Sequence, residues 1–290
     1  MRYRILHIIY SLFRGGAERL IETTVRFSDP SVFEHNVCSL TEAGDIAGSI
    51  EKAGGKVLVM GKKGRLNPGF FFRLASLIRN GGFDLLHLHN MPGNLWGTTA
   101  SWTALNGTPI VRTEHGFLFH SRYPRFYRHF YGTLSARSKK IICVCEALRE
   151  TFAATYPSLK EKLITIRNGI PVEDFSGLPS REKCRNLFDL SPESMLIGTA
   201  GRLSLEKNQA ELIRAFSMVS EELAGVDLVI MGEGEMKDHL TSAATGMGLE
   251  ERIVFLPSSA EIDKFYGALD LFVLSSTSEG IPLTLLEAML

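Results

Sequence analysis

The chain has 290 residues, 44% of them hydrophobic and 22% charged, with 32 basic residues against 32 acidic. That length exceeds one typical domain and suits two, each with enough apolar residues for its own core. Zero net charge argues against a nucleic-acid or acidic-polymer partner, so any electrostatic function must come from local clustering.

The N-terminal run MRYRILHIIYSLFRGG is short, is broken by His7 and Arg14, and lacks a small-residue cleavage site. It predicts a buried first strand over 4–10 rather than a signal peptide. Gly15-Gly16-Ala17-Glu18-Arg19 follows and opens a helix over 16–28. Two glycines there permit either a tight turn or close backbone approach to an anion. Strands at 35–40 and 56–60, a helix at 69–80, and a strand at 84–88 come next. His87 and His89 share one face of that strand by its period of two. With His115 they could form a zinc site, though a cleft-lining or hydrogen-bonded role fits better without a nearby Cys or carboxylate at ligand spacing.

A helix at 93–106 and a strand at 109–113 precede His115. From Gly116 to Cys145 there is no acidic residue. Phe117, Phe119, Tyr123, Tyr127, Phe130 and Tyr131 alternate there with Arg122, Arg125, Arg128 and Lys139. The stretch 117–140 is either a membrane-surface face or a helix with buried aromatics and solvated cations, predicted at 124–138. Cys143, on a strand at 141–144, and Cys145 just after it alternate as small core residues. The four cysteines form no C-x-x-C pair and fit a reducing, cytoplasmic setting. A helix at 146–155 and a strand at 163–166 close the first half.

Residues 171–195, rich in Gly and Pro, read as an interdomain crossing between a domain at 1–170 and another at 196–290. A second alternation follows, with strands at 196–200, 226–231, 252–256 and 270–274. Helices are predicted at 207–222, 235–245, 260–267 and 282–290. Strands separated by helices imply parallel sheets covered on both faces. Two such sheets suggest Rossmann-like domains facing a cleft, with ligands beyond the carboxyl ends of the strands.

The polar residues after those strands carry the chemistry. In Gly201-Arg202-Leu203-Ser204-Leu205-Glu206-Lys207-Asn208, a guanidinium and an ammonium at one strand–helix junction suit a diphosphate. Gly232-Glu233-Gly234 lacks the third glycine of a dinucleotide fingerprint and is either a turn or a ligand loop. In Ser278-Glu279-Gly280-Ile281-Pro282-Leu283-Thr284-Leu285-Leu286-Glu287, Pro282 suits the first helical position. The amides around Ile281 to Thr284 are then unpaired donors. Glu287 stands among apolar neighbours and needs a partner.

The closing segment resembles the E-x7-E signature of retaining GT-B glycosyltransferases, and the chain is similar to glycosyltransferase family 4 nearly end to end. GGAER at 15–19, DLLHLHN at 84–90, TEHGF at 113–117, GRLSLEKN at 201–208 and MGEGE at 231–235 fall in the family's order. The resemblance implies that Arg202 and Lys207 clamp the diphosphate of a nucleotide-sugar donor, and that Gly16 approaches it from the other domain. It implies that Glu287 binds ribose hydroxyls, and that Glu279 with the amides of Gly280, Ile281, Pro282, Leu283 and Thr284 surrounds the transferred sugar. His115 would stand at the reaction centre, and the loop at Leu256 and Pro257 would border the base. No cofactor or metal is expected. The acceptor would be a glycan or a lipid-linked sugar in cell-surface polysaccharide or glycolipid synthesis. A GT-B epimerase, or a non-catalytic nucleotide-sugar binder, is the alternative. The family normally continues beyond the helix bearing Glu287, so the resemblance also implies a truncated protein with an incomplete second domain.

Overall fold

The computed structural model describes residues 2–13, 15–64, 67–116 and 125–290, and divides into two compact units, Met1–Gly169 and Ile170–Leu290. The first carries a sheet of seven strands: β1 (Tyr3–Ile9), β2 (Phe33–Ser39), β3 (Lys56–Val59), β4 (Leu85–His89), β5 (Ile110–Glu114), β6 (Lys140–Cys143) and β7 (Leu163–Thr165). All pairs are parallel, in the order β3-β2-β1-β4-β5-β6-β7. The order reverses between β1 and β4, which makes that junction the topological switch point.

Helices cover both faces of this sheet, and most of its buried strand positions are apolar, with His7, His35, His89, Arg112, Thr113 and Glu114 as buried polar interruptions. Leu6, Ile8, Leu86 and Leu88 pack with Phe70, Leu74 and Ile78 of the helix Pro68–Asn80. Ile9 and Val37 point the other way and pack with Ile21 and Val25 of the helix Gly16–Phe27. Predicted and observed strands in this unit differ by two residues at most. The helix Ala47–Lys52 was not predicted, since its 6 residues hold too little periodicity to register.

The second unit has β8 (Met195–Ala200), β9 (Val226–Met231), β10 (Ile253–Leu256) and β11 (Leu271–Phe272), parallel in the order β10-β9-β8-β11. Its switch point lies between β8 and β11. Leu212, Ile213 and Phe216 of the helix Gln209–Glu222 cover one face with Leu228 and Ile230. Phe265 and Cys184 cover the other with Val229 and Met231.

The stretch 171–195 departs from the sequence reading. It is built into the second unit rather than lying between the two. The helix Arg181–Leu187 buries Arg185, whose guanidinium donates to the carbonyls of Ala268 (3.0 Å), Pro192 (2.8 Å) and Ser194 (3.0 Å) and to Asp270 Oδ2 (2.6 Å). Glycine and proline content signalled a crossing, but one arginine gathering otherwise orphaned carbonyls folds the segment down. Among the described residues no helix is long and apolar enough to cross a membrane.

Candidate functional site

In the second unit, the loops after β8 and β11 meet at the switch point. Gly201 N donates to Met231 O (3.0 Å), and Leu203, which is buried, anchors the loop to its neighbour through Glu233 O (2.8 Å) and Met236 N (3.1 Å). With Leu203 turned in, Arg202 is turned out and exposed. Its guanidinium makes no hydrogen bond or ion pair among the described residues. Gln209, buried at the start of the next helix, holds the Arg202 carbonyl at 2.9 Å. Gly232 and Gly234, both at φ +154°, have a packing role. A Cβ on Gly232 would stand 1.9 Å from Gly201 O, and one on Gly234 2.3 Å from Leu203 O. Of the two sequence readings of this motif, the structure supplies the reason for a close backbone turn: it seats the 201–208 loop.

The loop after β11 is tied to the same place. Ser275 Oγ donates to Lys207 O (2.9 Å) and Thr277 N to Glu206 O (2.9 Å). Lys207 Nζ then lies 2.5 Å from Glu279 Oε1, with both side chains about a quarter exposed. The structure thus brings together Lys207 and Glu279, 72 residues apart. No hydrogen bond or ion pair joins Arg202 to them.

Pro282 is the N-cap of the helix Leu283–Ala288, not its first helical residue, because its ψ of 109° is extended. Its carbonyl accepts from Leu285 N (3.2 Å) and Leu286 N (3.4 Å). Gly280 and Ile281 lie in the half-buried turn before it, and Leu283 is buried. Thr284 Oγ1 is buried without a hydrogen-bond partner among the described residues. Glu287 is 1% exposed and accepts from Tyr266 Oη at 2.8 Å. The required partner for this carboxylate is therefore present, on the neighbouring helix Ile262–Ala268.

In the first unit, Gly16 is the exposed first residue of its helix, with extended Gly15 as N-cap. His115 follows β5, and its N–H donates to Asn90 Oδ1 at 3.3 Å. The strand period explains the residues around it. Arg112 and Glu114 point to one face, where they form a buried ion pair shared with Tyr131, whose Oη donates to Glu114 Oε1 at 2.6 Å. Ser135 also accepts from Arg112. Thr113 and His115 point to the other face, where Thr113 Oγ1 bonds His87 Nε2 at 2.8 Å and His89 Nδ1 lies 3.2 Å from His115 Nε2.

That second face holds a group the sequence reading did not assemble. His7 lies opposite His87 in the β1–β4 register. Its ring bonds His89 (Nδ1 to Nε2, 3.1 Å) and His35 (Nε2 to Nδ1, 2.9 Å). The trio whose ligand atoms lie within 4.8 Å of one another is His7, His87 and His89, not the trio with His115. Burial pushes His87 down to about 4 and His115 to about 3, and holds His7 and His89 well below the ordinary histidine value. The aromatic, basic stretch lies partly outside the described residues, at 117–124. In the helix Arg125–Ser135, Tyr131 is core while Tyr127 and Phe130 are exposed.

Two family profiles match, Glycosyltransferase Family 4 over residues 14–174 and Glycosyl transferases group 1 over residues 180–290. The chain is 25% identical to EpsF of Bacillus subtilis (strain 168) over 302 residues, 98% of this chain and 76% of that protein. It is 29% identical over 224 residues to the UDP-Gal:alpha-D-GlcNAc-diphosphoundecaprenol alpha-1,3-galactosyltransferase of Escherichia coli, 74% of this chain but only 57% of that enzyme. In fold it matches Anabaena Alr3699/HepE, solved with UDP and glucose, with a TM-score of 0.84 at 24% identity over 99% of this chain and 78% of that one. With a family profile matching more than half of it and a glycosyl transferases group 1 profile matching most of the rest, the chain belongs to glycosyltransferase family 4.

Proposed function

We propose that this protein transfers a sugar, with retention, from a nucleotide-diphosphate sugar held in its second unit to a glycan or lipid-linked acceptor. The observation that carries the reading is the partly exposed Lys207–Glu279 pair at the switch point of a parallel sheet, 2.5 Å apart. Such a pair stores an ammonium beside a carboxylate until a donor separates their tasks. Lys207 then turns to the diphosphate with Arg202, and Glu279 accepts hydrogen bonds from sugar hydroxyls. As the glycosidic bond breaks, negative charge grows on the departing diphosphate, and the two cations stabilise it. The reaction so drawn needs no divalent ion. Glu287 receives the ribose hydroxyls in place of, or beside, Tyr266. Gly280, Ile281, Pro282, Leu283 and Thr284 frame the sugar, and the first unit contributes Gly16 and His115.

The acceptor class is supported by the diphosphoundecaprenol-linked acceptor of the Escherichia coli relative. The exposed Tyr127 and Phe130 and the basic residues near them suit a peripheral contact with an anionic lipid surface on the cytoplasmic side. Flotation with anionic liposomes should carry the protein upward, and protein left in the pellet removes the membrane contact. The function itself is tested by a thermal-shift screen against UDP-, GDP- and ADP-sugars. One of these should raise the melting temperature, followed by transfer with the anomeric configuration kept. No shift with any of them contradicts the donor site.

A further inference from the structure

Four imidazoles form one unbranched chain across the first sheet: His115 to His89 (3.2 Å), His89 to His7 (3.1 Å) and His7 to His35 (2.9 Å). Burial keeps all four neutral near pH 7, since each is held below its ordinary value. A neutral imidazole has one N–H and one bare nitrogen. Three ring-to-ring bonds consume three N–H groups, so the fourth must stand at one end of the chain. If the spare is on His115 Nδ1, every ring is the Nδ1–H tautomer. If it is on His35 Nε2, every ring is the Nε2–H tautomer. No third arrangement keeps all three bonds.

The His35 end decides between them. His35 is 6% exposed, and its Nε2 is buried with no hydrogen-bond partner among the described residues. An N–H placed there would be an orphaned buried donor, a rarer group in folded proteins than an unfilled acceptor. His115 is half-buried, and its Nδ1 has no bond among the described residues. The spare N–H therefore belongs on His115. We propose that His35, His7 and His89 are positioning residues that lock His115 as its Nδ1–H tautomer, so that it meets the substrate as a hydrogen-bond donor and not as a base. The part played by His115 in transfer rests on the function proposed above; the lock itself does not.

The chemistry this selects is an oxygen lone pair, on the sugar or the acceptor, opposite His115 Nδ1. A metal ion at His7, His87 and His89 is the rival use of these residues. It is disfavoured because both ring nitrogens of His7 and of His89 already bond other imidazoles.

The test is histidine-nitrogen NMR on the protein labelled with 15N. The expected result is a protonated-type Nδ1 and a bare Nε2 for His115, His89, His7 and His35 alike. Any of the four as Nε2–H, or in mixed form, overturns the lock. Addition of one equivalent of zinc should leave these resonances in place; their displacement at His7, His87 and His89 overturns it in favour of a metal site. His89→Phe cuts the chain beside His115, where water can serve either nitrogen of this half-buried ring, so His115 should become a tautomer mixture. His89→Gln, whose amide can still donate to Nε2, should restore the single form; an unchanged His115 in the Phe variant overturns the coupling. If either variant fails to fold, the wild-type spectrum still decides. In transfer assays His89→Phe should lower kcat a few-fold with the donor KM unchanged, in proportion to the share of His115 that leaves the Nδ1–H form. Predicted tautomers with an unmoved kcat would leave the lock standing and remove His115 from the reaction.

Discussion

Glu287 shows what one residue's surroundings dictate. A carboxylate in the helix Leu283–Ala288 cannot be buried bare, and its partner is the Tyr266 hydroxyl at 2.8 Å. Tyr266→Phe deletes that bond without changing the ring's volume. The second unit should lose about 1–2 kcal/mol, measured as a lowered urea midpoint at constant m-value; an unchanged midpoint would show that the bond contributes nothing. The need for a partner was legible from the apolar neighbours of Glu287, but its identity was not, since Tyr266 lies 21 residues away. His7 was legible only as an interruption of an apolar strand. Its meaning depends on the register that sets it opposite His87, and register between strands 80 residues apart has no local signal.

At the scale of elements, strand periodicity does most of the sorting. In β5 it sends Arg112 and Glu114 to one face and Thr113, with the following His115, to the other. A motif that reads as four consecutive polar residues is thus two separate devices. The boundaries of the long, periodic elements were legible. Those of Ala47–Lys52 and Arg181–Leu187 were not, because each is short and set among glycines or prolines that read as loop. The buried histidines also give sheet β1–β7 a pH dependence. Their folded-state values lie below the unfolded one, about 4 for His87 and about 3 for His115. Between those values and about 6.5 the unfolded chain therefore binds more protons than the folded one. Stability should be full above about pH 6.5 and fall as the pH drops toward 4. With several such rings the slope should exceed the one-proton value of about 1.4 kcal/mol per pH unit. Urea midpoints across pH 4–8 measure it; a flat profile would show that these rings are not buried neutral.

At the scale of the molecule, two doubly wound sheets each present a switch point, and the chain's polar motifs lie at the carboxyl ends of their strands. That much was legible because strand–helix alternation and motif order are sequential properties. The pairing of Lys207 with Glu279 was not, since it arises only when the loops after β8 and β11 become neighbours. Lys207 and Glu279 form the heart of the proposed donor site. Isothermal titration with the nucleotide sugar that gives the largest thermal shift tests it most directly, comparing the wild-type protein with Lys207→Ala and Glu287→Ala. Both variants, shown folded by circular dichroism, should lose donor binding, with Lys207→Ala weakened at least about tenfold for one charge-assisted phosphate contact. Wild-type affinity in both would contradict the assignment.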